Sequence, residues 1–282
     1  SLANLSVTRQ VLADHGLSAK YSLGQNFLVN EAIVAKIVAL AELEGADNVL
    51  EIGPGIGTLT MALLQNAKHV TSIERDTDLP AVLAETLEPW WDSFTLIQKD
   101  ALDLQLSDLD GQDAPNKLVA NLPYAVAATV VLDWLERFEF LDAMTVMVQS
   151  EVADRMCAEV GTKNYGAYTV KLRLRAHVTD RFQVPPGCFM PAPHVESAVI
   201  HIERNEDAPA PELLEVASAL ADAAFAQRRE TIRNSMSSRY PKDVVDRLLA
   251  ECGIAPTVRG ETLAPETYLQ MAHAFLGLNL QK

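Results

Sequence analysis

Several short stretches of this 282-residue chain carry side chains whose types and spacing suit chemistry. The first, "VLEIGPGIGTLTMAL", sets Gly53, Gly55 and Gly57 between an apolar run and a helical one. Glycine lets a backbone approach a ligand closely and adopt conformations that other residues resist. A dinucleotide fingerprint would need its third glycine where Thr58 stands, and a phosphate loop would need a Gly-Lys-Ser/Thr ending. A ligand with adenosine and an amino-acid tail but no phosphates, S-adenosylmethionine, suits this G-x-G-x-G loop better. Glu74 closes the next apolar run, where a carboxylate can accept both ribose hydroxyl hydrogens. Asp100, followed by Ala101, closes the run after that, where a carboxylate suits an adenine amino group.

The stretch "KLVANLPYAVAATVV" poses a different problem, because an apolar run ends in an amide, a proline and an aromatic ring. The exocyclic amine of a nucleobase is a poor nucleophile, since its lone pair is delocalised into the ring. Hydrogen bonds from that amine to the Asn121 amide oxygen and to a backbone carbonyl would help localise the lone pair. Pro123 stiffens the turn and disfavours helix at Leu122, which exposes that carbonyl. Tyr124 offers a face on which a base can stack. Such a site must chiefly hold the amine in line with the methyl donor, and proximity alone is worth roughly 7–11 kcal/mol at best. A base within a helix would first be flipped out.

The surrounding pattern supplies the elements that position these groups. Residues 48–53, 69–74, 93–100, 117–121 and 143–149 are short β-rich runs, and helical stretches at 58–67, 79–87 and 126–138 separate several of them. Strands alternating with helices predict a mostly parallel sheet whose ligands sit at the carboxyl ends of the strands. Two helices precede it, at 6–15 and 30–43, the second capped by Asn30. Residues 168–184 and 196–204 alternate as antiparallel strands would, 205–212 reads as a linker, and the remainder is helical. The fold expected is therefore α/β, a Rossmann-like sheet over residues 1–205 with a small all-helical domain over 206–282.

Composition narrows the class. Hydrophobic content of 49% with 22% charged residues describes a globular chain. Cys157, Cys188 and Cys252 are odd in number and widely spaced, which predicts neither disulfides nor a zinc site, and the six histidines have no metal-ligand spacing. No apolar run is long enough for a membrane span, and the N-terminal residues form an amphipathic pattern rather than a secretory leader, so a cytoplasmic protein is expected. A formal net charge of -15 argues against indiscriminate binding to polyanions, though not against a locally basic face.

Together "GQNFLVN", "EIGPGIGTLT", "IERD", "KDALD", "ANLPY", "VPPGCFMPAPHVESAVI" and "QRRETIRNS" span nearly the whole chain. On these motifs it resembles the ribosomal RNA adenine N6,N6-dimethyltransferase family, in its small-subunit (16S) branch, whose fold is the class I methyltransferase sheet. The resemblance implies S-adenosylmethionine as donor, with contacts at Asn26, Leu28, Gly53, Glu74, Asp100 and Asn121. It implies base-stacking aromatics at Tyr124 and Phe189, and two adjacent adenosines near the 3′ end of 16S rRNA, in an assembling 30S subunit, as acceptors. Family members usually carry Asn after the tyrosine; here Ala125 replaces it, which bears on loop hydrogen bonding.

Given an RNA substrate, the basic cluster Arg228, Arg229, Arg233, Arg239 and Lys242 is expected to contact phosphates, with Arg229 and Arg233 on one helix face and Lys171, Arg173 and Arg175 extending the surface. Trp90, Trp91 and Trp134 read as packing residues. A monomer suffices. Two alternatives stand beside this reading: a 23S rRNA methyltransferase conferring macrolide resistance, and a non-catalytic ribosome-assembly factor on the same fold.

Overall fold

A computed structural model describes residues 1–279. In chain order the elements are α1 Leu5–Asp14, β1 Phe27–Leu28, α2 Glu31–Ala41, β2 Asn48–Ile52, α3 Thr58–Leu64, β3 His69–Glu74, α4 Leu79–Thr86, β4 Phe94–Gln98, β5 Lys117–Asn121, α5 Ala127–Arg137 and β6 Ala143–Gln149. There follow α6 Ser150–Cys157, α7 Ala167–Arg173, β7 Ala176–Val184, β8 Phe189–Met190, β9 Ser197–Arg204, α8 Pro211–Phe225, α9 Ile232–Ser237, α10 Lys242–Glu251 and α11 Pro265–Asn279. The α/β architecture read from the sequence is the one observed.

Local chemistry explains the element ends. At α2, Asn30 accepts the Ile33 N–H at 3.1 Å, as a helix N-cap should, and Glu31 sits in the positive first turn. Ile33, Val34, Ile37 and Ala41 then recur on one buried face. By contrast α5, whose N-cap is Val126, has no side-chain cap.

Seven strands form one sheet in the order β4-β3-β2-β5-β6-β9-β7. Pairings from β4 through β6 are parallel, and β9 runs antiparallel to β6. Leu50, Val70, Leu118 and Val146 on the central strands are fully buried, as expected of a sheet covered on both faces. The chain winds outward through β3 and β4, then returns to lay β5 on the other side of β2. That reversal makes a crevice beyond the carboxyl ends of β2 and β5, the usual ligand site of such sheets.

The chain divides into two compact units, Ser1–Ala153 with Val178–Arg204, and Asp154–His177 with the chain from Asn205 onward. This corrects the expectation of a single cut near residue 205. It also corrects the strand expected from residue 168, because Tyr168–Arg173 is helical and β7 begins only at Ala176. Val170, Leu172 and Leu174 alternate as a strand would, but Val170 and Leu174 join Tyr165, Leu220, Ile232 and Met271 in the core of the helical unit. Tertiary burial overrides the local period there.

Candidate active site

Where β2 ends, Gly53, Gly55 and Gly57 take φ of 69°, 59° and 97°, in the left-handed region that L side chains avoid. A Cβ on Gly57 would stand 3.0 Å from both Leu87 Cδ2 and Thr86 Oγ1, and one on Gly55 would stand 3.3 Å from the Phe27 ring. The loop therefore packs closely against Phe27, Thr86 and Leu87, with no room for side chains at Gly55 and Gly57. Gly57→Ala is expected to destabilise the protein by about 2–4 kcal/mol, adding a positive-φ penalty to overpacking. Urea denaturation measures it; a loss under about 1 kcal/mol would mean that the turn relaxes freely.

Three carboxylates come from β3, β2 and the turn after β4. Glu74, at the end of β3, is only 8% exposed, and its Oε2 accepts the Arg75 and Asp76 N–H groups at 2.8 and 2.9 Å. Burial pushes its carboxyl above the ordinary range, and those N–H groups, with that of Gly55, pull it back. Glu51, inside β2, was missed in the sequence reading. It is buried, its Oε1 accepts the Thr60 hydroxyl at 2.5 Å and the Ser72 hydroxyl at 2.8 Å, and burial pushes its pKa up to about 7. The available signal was a lone acid in the otherwise apolar run "NVLEIG". Asp100 lies two residues past the end of β4 rather than closing it. Its side chain accepts the Leu102 N–H at 3.0 Å and stands 3.8 Å from the Arg75 guanidinium, with Ala101 buried beneath.

The motif after β5 faces this loop. A Cβ on Gly53 would lie 3.8 Å from the Pro123 ring and 3.9 Å from the Asn121 carbonyl oxygen. Asn121 Nδ2 points at the Asn26 carbonyl at 3.5 Å, which orients the half-buried amide. Among the described residues nothing donates to Asn121 Oδ1 or to the Leu122 carbonyl. Leu122 is fixed by its buried side chain and by its N–H, which donates to the Met147 carbonyl at 3.1 Å. Tyr124 is half-buried, and its hydroxyl shares a 2.5 Å hydrogen bond with Ser197 Oγ on β9.

Strands β1 and β8 bring two distant segments together, pairing Phe27 with Met190 and Leu28 with Phe189. Asn26, just before β1, thereby meets Asn121, whereas the Leu28 side chain is buried in the core cluster. Phe189 does not present the stacking face expected of it. It is 5% exposed and packed in a cluster with Leu28, Val119 and Val199, where its apolar ring gains more by burial.

In the helical unit the basic cluster is distributed unevenly. Arg229 lies in a turn, and Thr231 caps a new helix at Ile232 by accepting the Asn234 N–H at 3.2 Å, so Arg229 and Arg233 do not share a helix face as expected. Arg233 makes a two-pronged contact with Asp246 at 2.6 and 3.1 Å, and Arg228 pairs with Glu261 at 3.0 Å. Arg229, Arg239 and Lys242 are exposed. Lys171 pairs with Asp222 at 2.7 Å and Arg173 donates to the Ala158 carbonyl at 3.2 Å. Arg175 is 6% exposed and donates to the Lys171 carbonyl and Ser218, so it does not extend the surface. Among the described residues no helix is long and apolar enough to cross a membrane.

The family model for ribosomal RNA adenine dimethylase matches residues 16–276. A relative in Magnetococcus marinus named ribosomal RNA small subunit methyltransferase A is 40% identical over 266 residues, covering 93% of this chain and 94% of that one. One of the same name in Lachnoclostridium phytofermentans is 37% identical over 273 residues, covering 94% of each. A dimethyladenosine transferase from Plasmodium falciparum shares the fold, with a TM-score of 0.76 at 23% identity over 90% of this chain and 98% of that one. The 23S rRNA methyltransferase ErmE gives 0.66 at 25% identity over 89% and 99%. A family match over residues 16–276 and relatives 37–40% identical over nearly the full length show that the chain belongs to the ribosomal RNA adenine dimethylase family.

Proposed function

We propose that this chain transfers methyl groups to N6 of two adjacent adenosines near the 3′ end of 16S rRNA, dimethylating each within an assembling 30S subunit, as a cytoplasmic monomer. The observation that carries the chemistry is the pair of uncommitted acceptors, Asn121 Oδ1 and the Leu122 carbonyl, side by side at the sheet's reversal point. The small-subunit assignment is supported by the names and nearly full mutual coverage of the relatives.

The donor's place fits the residues present: backbone at positive φ that no Cβ fills, with a buried carboxylate beside it. Glu74 would accept the ribose hydroxyls, Asp100 and Ala101 the adenine edge, and Asn26, Leu28 and the three glycines the remainder. When bound, S-adenosylmethionine supplies an electrophilic methyl group on a sulfonium. The chain's residues then do four things. For the first transfer Asn121 and Leu122 accept both hydrogens of the target amine, and for the second one of them accepts the hydrogen that remains, which fixes its orientation and helps localise its lone pair. Tyr124 stacks on the base, and Ser197 holds the tyrosine ring. Pro123 keeps the Leu122 carbonyl turned outward. Arg229, Arg239 and Lys242 meet phosphates directly, whereas Arg228 and Arg233 must first exchange their acidic partners.

The hydroxyl pair gives a specific expectation. Tyr124→Phe and Ser197→Ala should each lower single-turnover transfer by roughly 3–10-fold, the worth of one hydrogen bond, and the double variant should be no worse than either. Additive losses would mean that Ser197 does not act through the ring. Substrate choice is tested with tritiated donor offered to undermethylated 30S particles and to protein-free 23S rRNA. Label confined to 16S supports the proposal. Label in 23S instead would favour the large-subunit reading, to which the likeness to ErmE lends some weight.

A further inference from the structure

Asp76 lies two residues beyond Glu74 and is 4% exposed, yet neither the sheet nor the methyl-transfer chemistry requires a buried carboxylate there. Both its oxygens are used. Oδ1 accepts from Lys20 Nζ at 2.6 Å and from the Asp78 N–H at 2.9 Å, and Oδ2 accepts from Gln25 Nε2 at 2.8 Å. Lys20 Nζ also pairs with Asp78, and its backbone N–H donates to Gln25 Oε1 at 2.9 Å, closing the segment on itself. Between the two anchors runs a single 3-10 turn, Tyr21–Leu23, ended by Gly24 in the left-handed conformation. Tyr21 is 97% exposed, so the segment is held by polar contacts on one carboxylate more than by burial.

The position of that carboxylate matters. The Asp76 N–H donates to Glu74 Oε2 at 2.9 Å, so the residue that anchors the segment also orients the acid beside the glycine loop. The residue after Gln25 is Asn26, whose carbonyl faces the Asn121 amide at 3.5 Å. One node therefore couples the strap to both halves of the site. The Lys20 ammonium and neighbouring N–H groups hold the Asp76 carboxyl below its ordinary range against burial, which by itself would raise it. The charge is thus kept for its partners, and removing one leaves a buried anion underpaired.

We propose that Lys20, Gln25 and Asp76 form a clasp that fastens residues 20–26 over the methyl donor, setting how long the donor stays bound. They are positioning residues, acting through Asn26 and Glu74, and the inference rests on assigning those two to the donor. Polar contacts suit such a clasp because water can replace them when the strap lifts, whereas a buried apolar plug would have to be exposed.

The test uses the intact protein. S-adenosylhomocysteine, the product left after transfer, is the probe, and dissociation is followed by rapid dilution of the complex. Lys20→Met and Gln25→Ala are expected to speed its release by about tenfold each, the factor for one charge-assisted or buried hydrogen bond, with the KM for the donor rising similarly and kcat within about twofold. Lys20→Arg should restore the wild-type rate. Trypsin reads the strap independently: cleavage after Lys20 should slow by at least about tenfold in wild type saturated with S-adenosylhomocysteine, and Gln25→Ala should lose most of that protection. Unchanged release in Lys20→Met, or cleavage after Lys20 indifferent to S-adenosylhomocysteine, would overturn the clasp. Glu74→Ala separates the two layers. If it binds the probe normally the donor assignment itself falls, and if it alone loses binding only the clasp does.

Discussion

Asn121→Ala is expected to lower methyl transfer by roughly 10²–10³-fold while RNA binding stays within about twofold, the loss typical of removing one group aimed at the reacting atoms. The size follows from how little else the site does to the amine. No general base is needed to form the new bond, because a proton leaves only after the nitrogen has become cationic. The reaction therefore depends on holding the amine in place and on localising its lone pair. Alanine removes one of the two acceptors and leaves the Leu122 carbonyl, fixed from behind by the 3.1 Å bond from its own N–H to Met147. Asn121→Asp keeps an acceptor and should retain more activity than the alanine variant. Single-turnover transfer to undermethylated 30S particles, beside a filter-binding isotherm, separates chemistry from binding; transfer within about threefold of wild type would remove the amide from the mechanism.

Glu51→Gln is expected to change how stability depends on pH. In the native state this carboxyl is pushed up to about 7 by burial, against an ordinary value of 4.5. Between those two pH values the folded protein keeps a proton that the unfolded chain has released. More protons bound to the native state means that unfolding free energy falls as pH rises, fastest through this window and levelling off above about pH 7. At about 1.36 kcal/mol per pH unit the total is roughly 3 kcal/mol. A neutral glutamine has no such slope, so wild type should lose roughly 2–3 kcal/mol relative to the variant between pH 5 and pH 8. Groups common to both proteins, such as Asp47 and Asp76, whose carboxyls are held low, cancel in the difference. Urea denaturation at the two pH values measures it, and parallel curves would show that Glu51 is ionised or solvated in the folded state.

Much of the fold was legible because its signals are local. Five short apolar runs became β2 to β6, and the Asn30 cap opened α2 as read. Gly53, Glu74 and Asn121 were legible for the same reason, since parallel strands deliver their last residues to one edge. What was missed depends on partners distant in sequence. Glu51 looks like an interruption in a strand until Thr60 and Ser72 close around it. Lys20 and Asp76 are 56 residues apart and no periodicity links them. Phe189 was read from its loop as a stacking face, but its pairing with Leu28 carries it inward. Arg233 was read as a phosphate ligand before Asp246 on α10 was seen to hold it.

The measurement that bears most directly on the acceptor pair is a crystal structure with adenosine joined through N6 to the donor's amino-acid chain. N6 is expected about 3 Å from both Asn121 Oδ1 and the Leu122 carbonyl, with the base against Tyr124 and the donor-side chain along Gly53–Gly57. N6 lying beyond hydrogen-bond reach of both acceptors, in a complex otherwise seated at the glycines, would contradict it.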